Sequence, residues 1–322
     1  MLNRRTFIAA GATAGATSFA GPLLAQSAQQ INLILGFPAG GGPDTIARIV
    51  ADHLRTQGQQ VVIEQKTGAG GRIAMEFVKR AAPDGRTLVF TPGSMLSIYP
   101  HVYNKLTYSR DDFTPIAKVA AYPLALVVPA ESPHKTLPEF LDWARKNPGK
   151  ATCGLPGLGN DTNILSWKVG KHAGVSFENV PYQGGPQLTQ GVLSNQVACA
   201  VNITSNFSEL HRGGKIRILA VSSAKRSTRL PEVPTFVELG IKDAVSEESL
   251  GILGPKGMAP ATVRSIAAMF LAAATDPAVQ KLIQERDHIP QPENTEEFIR
   301  SMTLVYEQRG REVKAVGFQM LD

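Results

Sequence analysis

The sequence predicts an α/β protein of two domains. Runs that read as strands alternate with runs that read as helices along most of the chain. Each half carries a glycine-rich loop that follows a strand and precedes a helix. The 322 residues, less an N-terminal leader, are enough for two separate cores.

The leader comes first. Met1-Leu2-Asn3-Arg4-Arg5-Thr6-Phe7-Ile8 is followed by an apolar, alanine-rich run to about Ala20, the plan of an export signal. Arg4-Arg5-x-Phe7 points to the twin-arginine route. The apolar run is roughly 13 residues against the ~20 a bilayer requires, so cleavage between Ala25 and Ala28 is expected, with residues 1–28 as signal peptide. No cysteine lies there to accept a lipid.

Residues 31–35 read as a buried strand, and a helix is expected over 45–56. Between them lies Gly36-Phe37-Pro38-Ala39-Gly40-Gly41-Gly42-Pro43-Asp44, where glycines let amides crowd a ligand and a helix N-terminus adds positive potential. Asp44 is placed to cap that helix. The loop lacks the Lys-Ser/Thr of a phosphate loop and the spacing of a dinucleotide fingerprint, and a tight turn without a ligand is the alternative. A strand at 61–64, the turn Gly68-Ala69-Gly70-Gly71, a helix at 73–80 and strands at 87–91 and 124–129 follow. Thr136-Leu137-Pro138-Glu139 is a capping box whose helix ends at Asn147-Pro148-Gly149. Strands are expected at 151–153, 177–180, 197–201 and 216–221, with helices at 163–172 and 186–194. The second loop, Gly154-Leu155-Pro156-Gly157-Leu158-Gly159-Asn160-Asp161, sits in the same position as the first. Facing each other, the two are suited to grip one carboxylate-bearing molecule. After a strand at 250–253 only helices are expected, at 261–274, 277–285 and 295–316, packing back on the first domain. Trp143 and Trp167 read as core residues.

Removing the leader takes away Arg4 and Arg5 and lowers the formal charge from +6 to +4, without a basic cluster interleaved with aromatics. Nucleic-acid binding is therefore excluded. The six histidines fall in no metal spacing, and His101 and His211 read as surface or turn residues. No serine sits in a G-x-S-x-G elbow, so the chain is not expected to be an enzyme, to bind a metal or to need a cofactor. Cys153 and Cys199 lie in apolar strand patterns, which favours reduced thiols over a disulfide.

Gly36-Phe37-Pro38-Ala39-Gly40-Gly41-x-x-Asp44, Gly68-Ala69-Gly70-Gly71 and Ala82-Pro83-Asp84-Gly85-x-Thr87-Leu88 occur in this order. Asp112-Phe113-Thr114-Pro115, Val180-Pro181-Tyr182-x-Gly184, Gly214-Lys215-Ile216-Arg217-x-Leu219-Ala220-Val221 and Leu230-Pro231-x-Val233-Pro234-Thr235 follow. Together they resemble the Bug family, the solute receptors of tripartite tricarboxylate transporters, over essentially the whole mature chain. The resemblance implies a periplasmic-binding-protein-like fold of two α/β domains, joined by crossover strands near 125–130 and 249–254, with a cleft between them. Domain 1 would comprise residues 29–126 and 252–322, and domain 2 residues 127–251. It implies a monomer in the periplasm that captures a small carboxylate without chemistry and delivers it to one large and one small membrane subunit. Sensing for a membrane signalling partner is the alternative. Ligand contacts carried over are Phe37, Ala39, Gly40, Gly41 and Asp44, with Gly93 and Ser94, in the first domain. In the second they are Gly159, Asn160, Asp161, Tyr182, Gly184, Asn202 and Thr204. Three positions depart from the family pattern: Asn163 replaces a histidine, Asn202 a frequent aspartate, and Ser249 a tryptophan. Loss of a negative charge at 202 is expected to admit a second carboxylate or a more polar ligand.

Overall fold

The first strand among the described residues, β1 (Ile31–Leu35), pairs in parallel with β2 (Val61–Gln65) on one side and β3 (Thr87–Pro92) on the other. The computed structural model describes residues 30–318 and 320–322, so the expected export signal at 1–28 lies outside the described residues. Helix α1 (Gly42–Thr56) joins β1 to β2 and α2 (Arg72–Lys79) joins β2 to β3, the crossover connection that parallel pairing requires. Two single turns, α3 (Ser94–Ser97) and α4 (Tyr99–Val102), follow β3.

The next strand organises the molecule. β4 (Phe113–Pro129) is 17 residues long and almost wholly buried, a continuous apolar run of the kind that belongs in the middle of a sheet. Only its second part, 124–129, is expected from the sequence. Pro115 and Pro123 interrupt the earlier stretch and argue against a central strand, yet the pairing accommodates them. A register shift lies at Pro115, and Pro123 sits where β4 changes partners.

The second half repeats the α/β alternation. It runs α5 (Leu137–Lys146), β5 (Thr152–Leu155), α6 (Asp161–Ala173), β6 (Glu178–Pro181), α7 (Gly185–Leu193), β7 (Cys199–Ile203), α8 (Ser208–Arg212) and β8 (Ile216–Val221). The chain then returns through β9 (Glu247–Pro255) to α9 (Pro260–Thr275), α10 (Pro277–Gln284), β10 (Ile289–Glu293) and α11 (Thr295–Val316). The capping box at Thr136 forms as expected, and Asn294 caps α11 in the same way. The tail is not all helix. β10 carries Pro290 and Pro292, which mask it in the sequence, and it is tolerated as a bulged edge strand antiparallel to β4.

Residues 113–123 of β4 lie between β9 and β10, so the first sheet runs β2-β1-β3-β9-β4-β10. Residues 124–129 lie between β7 and β8, so the second runs β6-β5-β7-β4-β8. The halves are thus two α/β lobes on one shared strand, and the chain re-enters the first sheet at β9, which pairs only there. The main core runs through both, from Leu33, Phe90 and Phe270 to Leu126, Phe140 and Val201. Each fully buried side chain of this size contributes roughly 1.5–3 kcal/mol. Trp143 and Trp167, expected in the core, are only partly buried, the first packing on the core's edge and the second stacking under Lys171. No single helix among the described residues is long and apolar enough to cross a membrane.

Candidate functional site

A cavity of about 100 Å³ lies where the lobes meet at the change of partners on β4. Tyr122 and Leu124 of β4 form its floor, and each lobe supplies its loops. The first lobe gives Phe37, Pro38, Gly41 and Gly42, with Pro92, Ser94 and Tyr99. The second gives Pro156, Asn160, Asp161 and Thr162, then Gly184, Gly185 and Pro186, then Asn202, Ile203 and Asn206. The prolines remove donors and fix the chain, which leaves few places for hydrogen bonding. Among the described residues no lysine, arginine or histidine lines the cavity, and Asp161 is the one charged residue there.

Three helices of useful length start at this cavity, and their ends differ. At α6 the amides are already engaged: the Asn160 side chain accepts from Thr162 N at 3.0 Å, and Asn160 O accepts from Asn163 N. Helix α1 begins Gly41-Gly42-Pro43 and α7 begins Gly184-Gly185-Pro186; neither N-cap is met by a side chain. Their first N–H groups have no partner within the helix, and the helix dipole makes both ends positive. A Cβ on Gly184 would lie 3.9 Å from Pro38 Cγ, so the two glycine loops approach each other across the cleft. The short turn α3 is closed to an anion, because buried Glu248 accepts from Ser94 N at 3.0 Å.

Asp44 steadies the first loop from behind. It accepts from Gly40 N at 2.9 Å, Arg48 Nε at 2.9 Å and Gln65 Nε2 at 2.8 Å. Burial raises its pKa, but the bonds from Arg48, Gly40 and Gln65 outweigh this and hold it below the usual value. Tyr99 donates to Gly70 O at 2.9 Å and ties down the neighbouring turn, where Gly70 has φ 65. Burial pushes the Tyr99 and Tyr122 phenols up, so both stay neutral.

Two polar clusters join the lobes beside the cavity. On one side, Arg309 of α11 contacts Asp161 and also reaches Glu312 at 2.6 Å and Ser246 at 3.0 Å. Lys168 of α6 meets Glu312 at 2.7 Å. On the other side, Asp287 accepts from Ser208 Oγ at 2.5 Å and from Arg229 Nε at 3.3 Å. Beside it, His288 is buried with Nε2 unpartnered, and burial lowers its pKa to about 4. A groove of about 700 Å³ opens there, between α1 and α8.

Of the residues singled out from the sequence, the cavity brings together Phe37, Gly41, Ser94, Asn160, Asp161, Gly184 and Asn202. Ala39, Gly40 and Asp44 line the adjoining groove. Gly93 packs against Ser249 behind Ser94, and Gly159 packs against Val102 and Leu321. The Tyr182 ring covers Gly154 and Gly191, and its hydroxyl meets Gln196. Thr204 Oγ donates to Pro123 O at 2.9 Å, holding the point where β4 changes sheets. Asn163 accepts from Gly159 N at 2.6 Å and braces its loop outside the cavity. His101 stacks on Tyr306 and bonds its carbonyl, and His211 pairs with Glu232. Among the described residues no group of three histidine, cysteine or acidic side chains is placed to hold a metal ion.

Sequence reasoning missed Gly185, Pro186 and Asn206, as well as Tyr99, Tyr122 and Leu124. The repeated Gly-Gly-Pro at 41–43 and 184–186 was a signal for the first two. Nothing local marks the others.

The model of the tripartite tricarboxylate transporter family receptor matches residues 46–318. A UPF0065 protein from the gbd 5′ region of Cupriavidus necator is 33% identical over 308 residues, 92% of this chain and 93% of that one. Protein BugT of Bordetella pertussis is 32% identical over 257 residues, 77% of each chain. Among solved structures, the periplasmic binding protein BugD matches with a TM-score of 0.84 at 27% identity, covering 91% of this chain and 99% of its own. The R. palustris protein Rpa4515 with adipate matches with a TM-score of 0.87 at 25% identity, covering 91% and 98%.

Proposed function

We propose that this chain, which belongs to the tripartite tricarboxylate transporter receptor family, captures a small carboxylate between its lobes in the periplasm. The lobes then present the closed complex to the large and small membrane subunits of a transporter. The observation that carries this reading is the pair of uncapped helix N-termini, α1 and α7, facing one cavity from opposite lobes. Amides at such ends bind a carboxylate without a formal counter-ion, so a ligand can be gripped firmly and still released. The absence of cations from the wall fits this, and so does adipate in a related structure. The lobe built on the first sheet would move against the lobe built on the second about the point where β4 changes partners, by hinge closure. The proposed contacts are Phe37, Gly41, Ser94, Asn160, Gly184 and Asn202, with Asp44 shaping the first loop. Capture needs no cofactor and makes or breaks no bond.

The test is thermal unfolding of the mature protein with a panel of small carboxylates and their matched amides. A ligand present at a hundredfold its Kd stabilises the folded state by roughly 2.7 kcal/mol, which moves the midpoint by a few degrees. Stabilisation by acids and not by their amides supports capture of a carboxylate. A panel with no shift overturns it.

A further inference from the structure

We propose that Leu321 is a positioning residue: the segment after α11 straps the two lobes together, and Leu321 holds the second lobe's loop 157–161 in the place that capture requires. The role in capture rests on the carboxylate reading above. Helix α11 packs in the first lobe and ends at Gly317, whose φ of 62 turns the chain back. Phe318 then lines a surface hollow with Asn163, Ser166 and Trp167 of α6, in the second lobe. Leu321 returns to the first lobe. Its N–H donates to Val102 O at 2.7 Å and its carbonyl accepts from Asn104 N at 2.9 Å, a bridge to Tyr103. The Tyr103 ring packs on Tyr99 of the cavity wall, with centroids 5.0 Å apart. The Leu321 side chain meets the second lobe: a Cβ on Gly159 would lie 2.9 Å from Leu321 Cδ1 and 3.0 Å from Val102 Cγ2.

Gly159 directly precedes Asn160 and Asp161, which cap and begin α6 and line the cavity. Its bond to Asn163 braces the loop from within the second lobe, while Leu321 and Val102 seat it against the first. A residue without a side chain permits so close an approach, and its φ of 75 suits glycine. Leu321 thus has an apolar neighbour from one lobe and a backbone neighbour from the other. An apolar contact that spans two bodies is complete only while they stay together. When the lobes part, Leu321 loses one side of its seat and the loop loses its stop. A contact that differs between two states shifts their populations by that difference, so Leu321 favours the form in which the loop faces the first lobe.

The experiment compares the mature wild type with Leu321→Ala, Leu321→Met and Met320→Ala. Met320 is the neighbour in sequence and 45% exposed, so its variant is the control. Hydrogen exchange of the unliganded proteins reads the loop at 157–163, and calorimetric titration with adipate, glutarate and malate reads capture. Leu321→Ala is expected to speed exchange in that loop at least about fivefold, as local opening becomes easier. Its affinity for an acid that binds wild type should fall roughly threefold to tenfold, through a smaller competent fraction. Leu321→Met should restore both, and Met320→Ala should leave both as in wild type. Leu321→Val trims the same side chain by one carbon and stands in if the alanine variant does not fold. Unchanged exchange in the loop, faster exchange with unaltered affinity, or equal losses in Met320→Ala would each overturn the positioning role while leaving carboxylate capture intact. Failure of wild type to bind any of the acids would overturn capture, and the positioning role with it.

Discussion

Arg309 near the end of α11 and Asp161 at the start of α6 form a buried ion pair that ties the first lobe to the second beside the cavity. Both side chains are about 5% exposed. Glu312, Lys168 and Ser246 complete the cluster, so the charges compensate one another in a largely buried group. The pair is a relation between helices about 150 positions apart in the chain, and it bears on stability as well as on closure.

Replacing Arg309 by methionine leaves Asp161 and Glu312 buried with one partner fewer. Breaking a buried pair from one side costs about 3–5 kcal/mol, and Arg309→Met is expected to fall in that range by urea unfolding. Adding Asp161→Asn removes the uncompensated charge, so the double variant should be more stable than the single one. A double variant no better than the single would show that packing, not charge, dominates there.

Asp287 does the corresponding work at the opposite rim. It lies in the turn between α10 and β10 in a left-handed conformation with φ 54, and it receives Ser208 and Arg229 from the second lobe. Asp287→Asn keeps the shape and removes the charge. On the proposed reading this contact favours the closed form, and the variant's affinity for a carboxylate that binds wild type should fall roughly threefold to tenfold, the loss that follows a smaller closed fraction. Small-angle scattering of the unliganded variant should report a larger radius of gyration than wild type.

His288 makes stability depend on pH in a window set by its pKa values. Burial lowers its pKa from 6.5 to about 4, and the Arg286 carbonyl bonded to Nδ1 at 2.7 Å only partly opposes this. The unfolded chain therefore binds a proton near pH 6.5 that the folded protein refuses until about pH 4. The stability His288 contributes is fully present above pH 6.5 and is lost as pH falls towards 4. That loss amounts to about 3 kcal/mol. Urea unfolding at pH 7 and pH 4.5 should show a smaller drop for His288→Gln than for wild type.

Cys153 and Cys199 stand opposite each other in neighbouring parallel strands, both free and fully buried. Burial and the neighbouring thiol raise Cys199 well above its ordinary pKa. Reactivity follows the exposed thiolate, so neither cysteine should react with an aromatic disulfide reagent in native protein at neutral pH. Both should react in urea. Rapid labelling of the native protein would show that the strands around β5 and β7 open readily.

The α/β alternation, the capping boxes and the first glycine loop were legible because each rests on neighbours in sequence. Thr136 and Glu139 satisfy each other's amides within one turn, whereas the helix after the first glycine loop begins at Gly42, three residues before the expected Thr45, with Asp44 in its first turn and not at its cap. β10 and the first half of β4 were not legible. Pro115, Pro123, Pro290 and Pro292 read locally as breakers, and only the pairing partners show that each falls at a bulge, an edge or a change of sheet.

The sequence by itself determined the class of fold, the two glycine loops that begin helices, and the lack of any metal or nucleophile spacing. The tertiary structure decided which loops meet. It placed Gly184 against Pro38, turned Asn202 and Asn206 to the same glycine, and moved Thr204, Tyr182 and Asn163 to supporting roles. Helix periodicity and capping act over a few residues, so sequence carries them directly. A cavity wall is a sum of contacts between distant segments, and it exists only once β4 has brought the two lobes onto one strand.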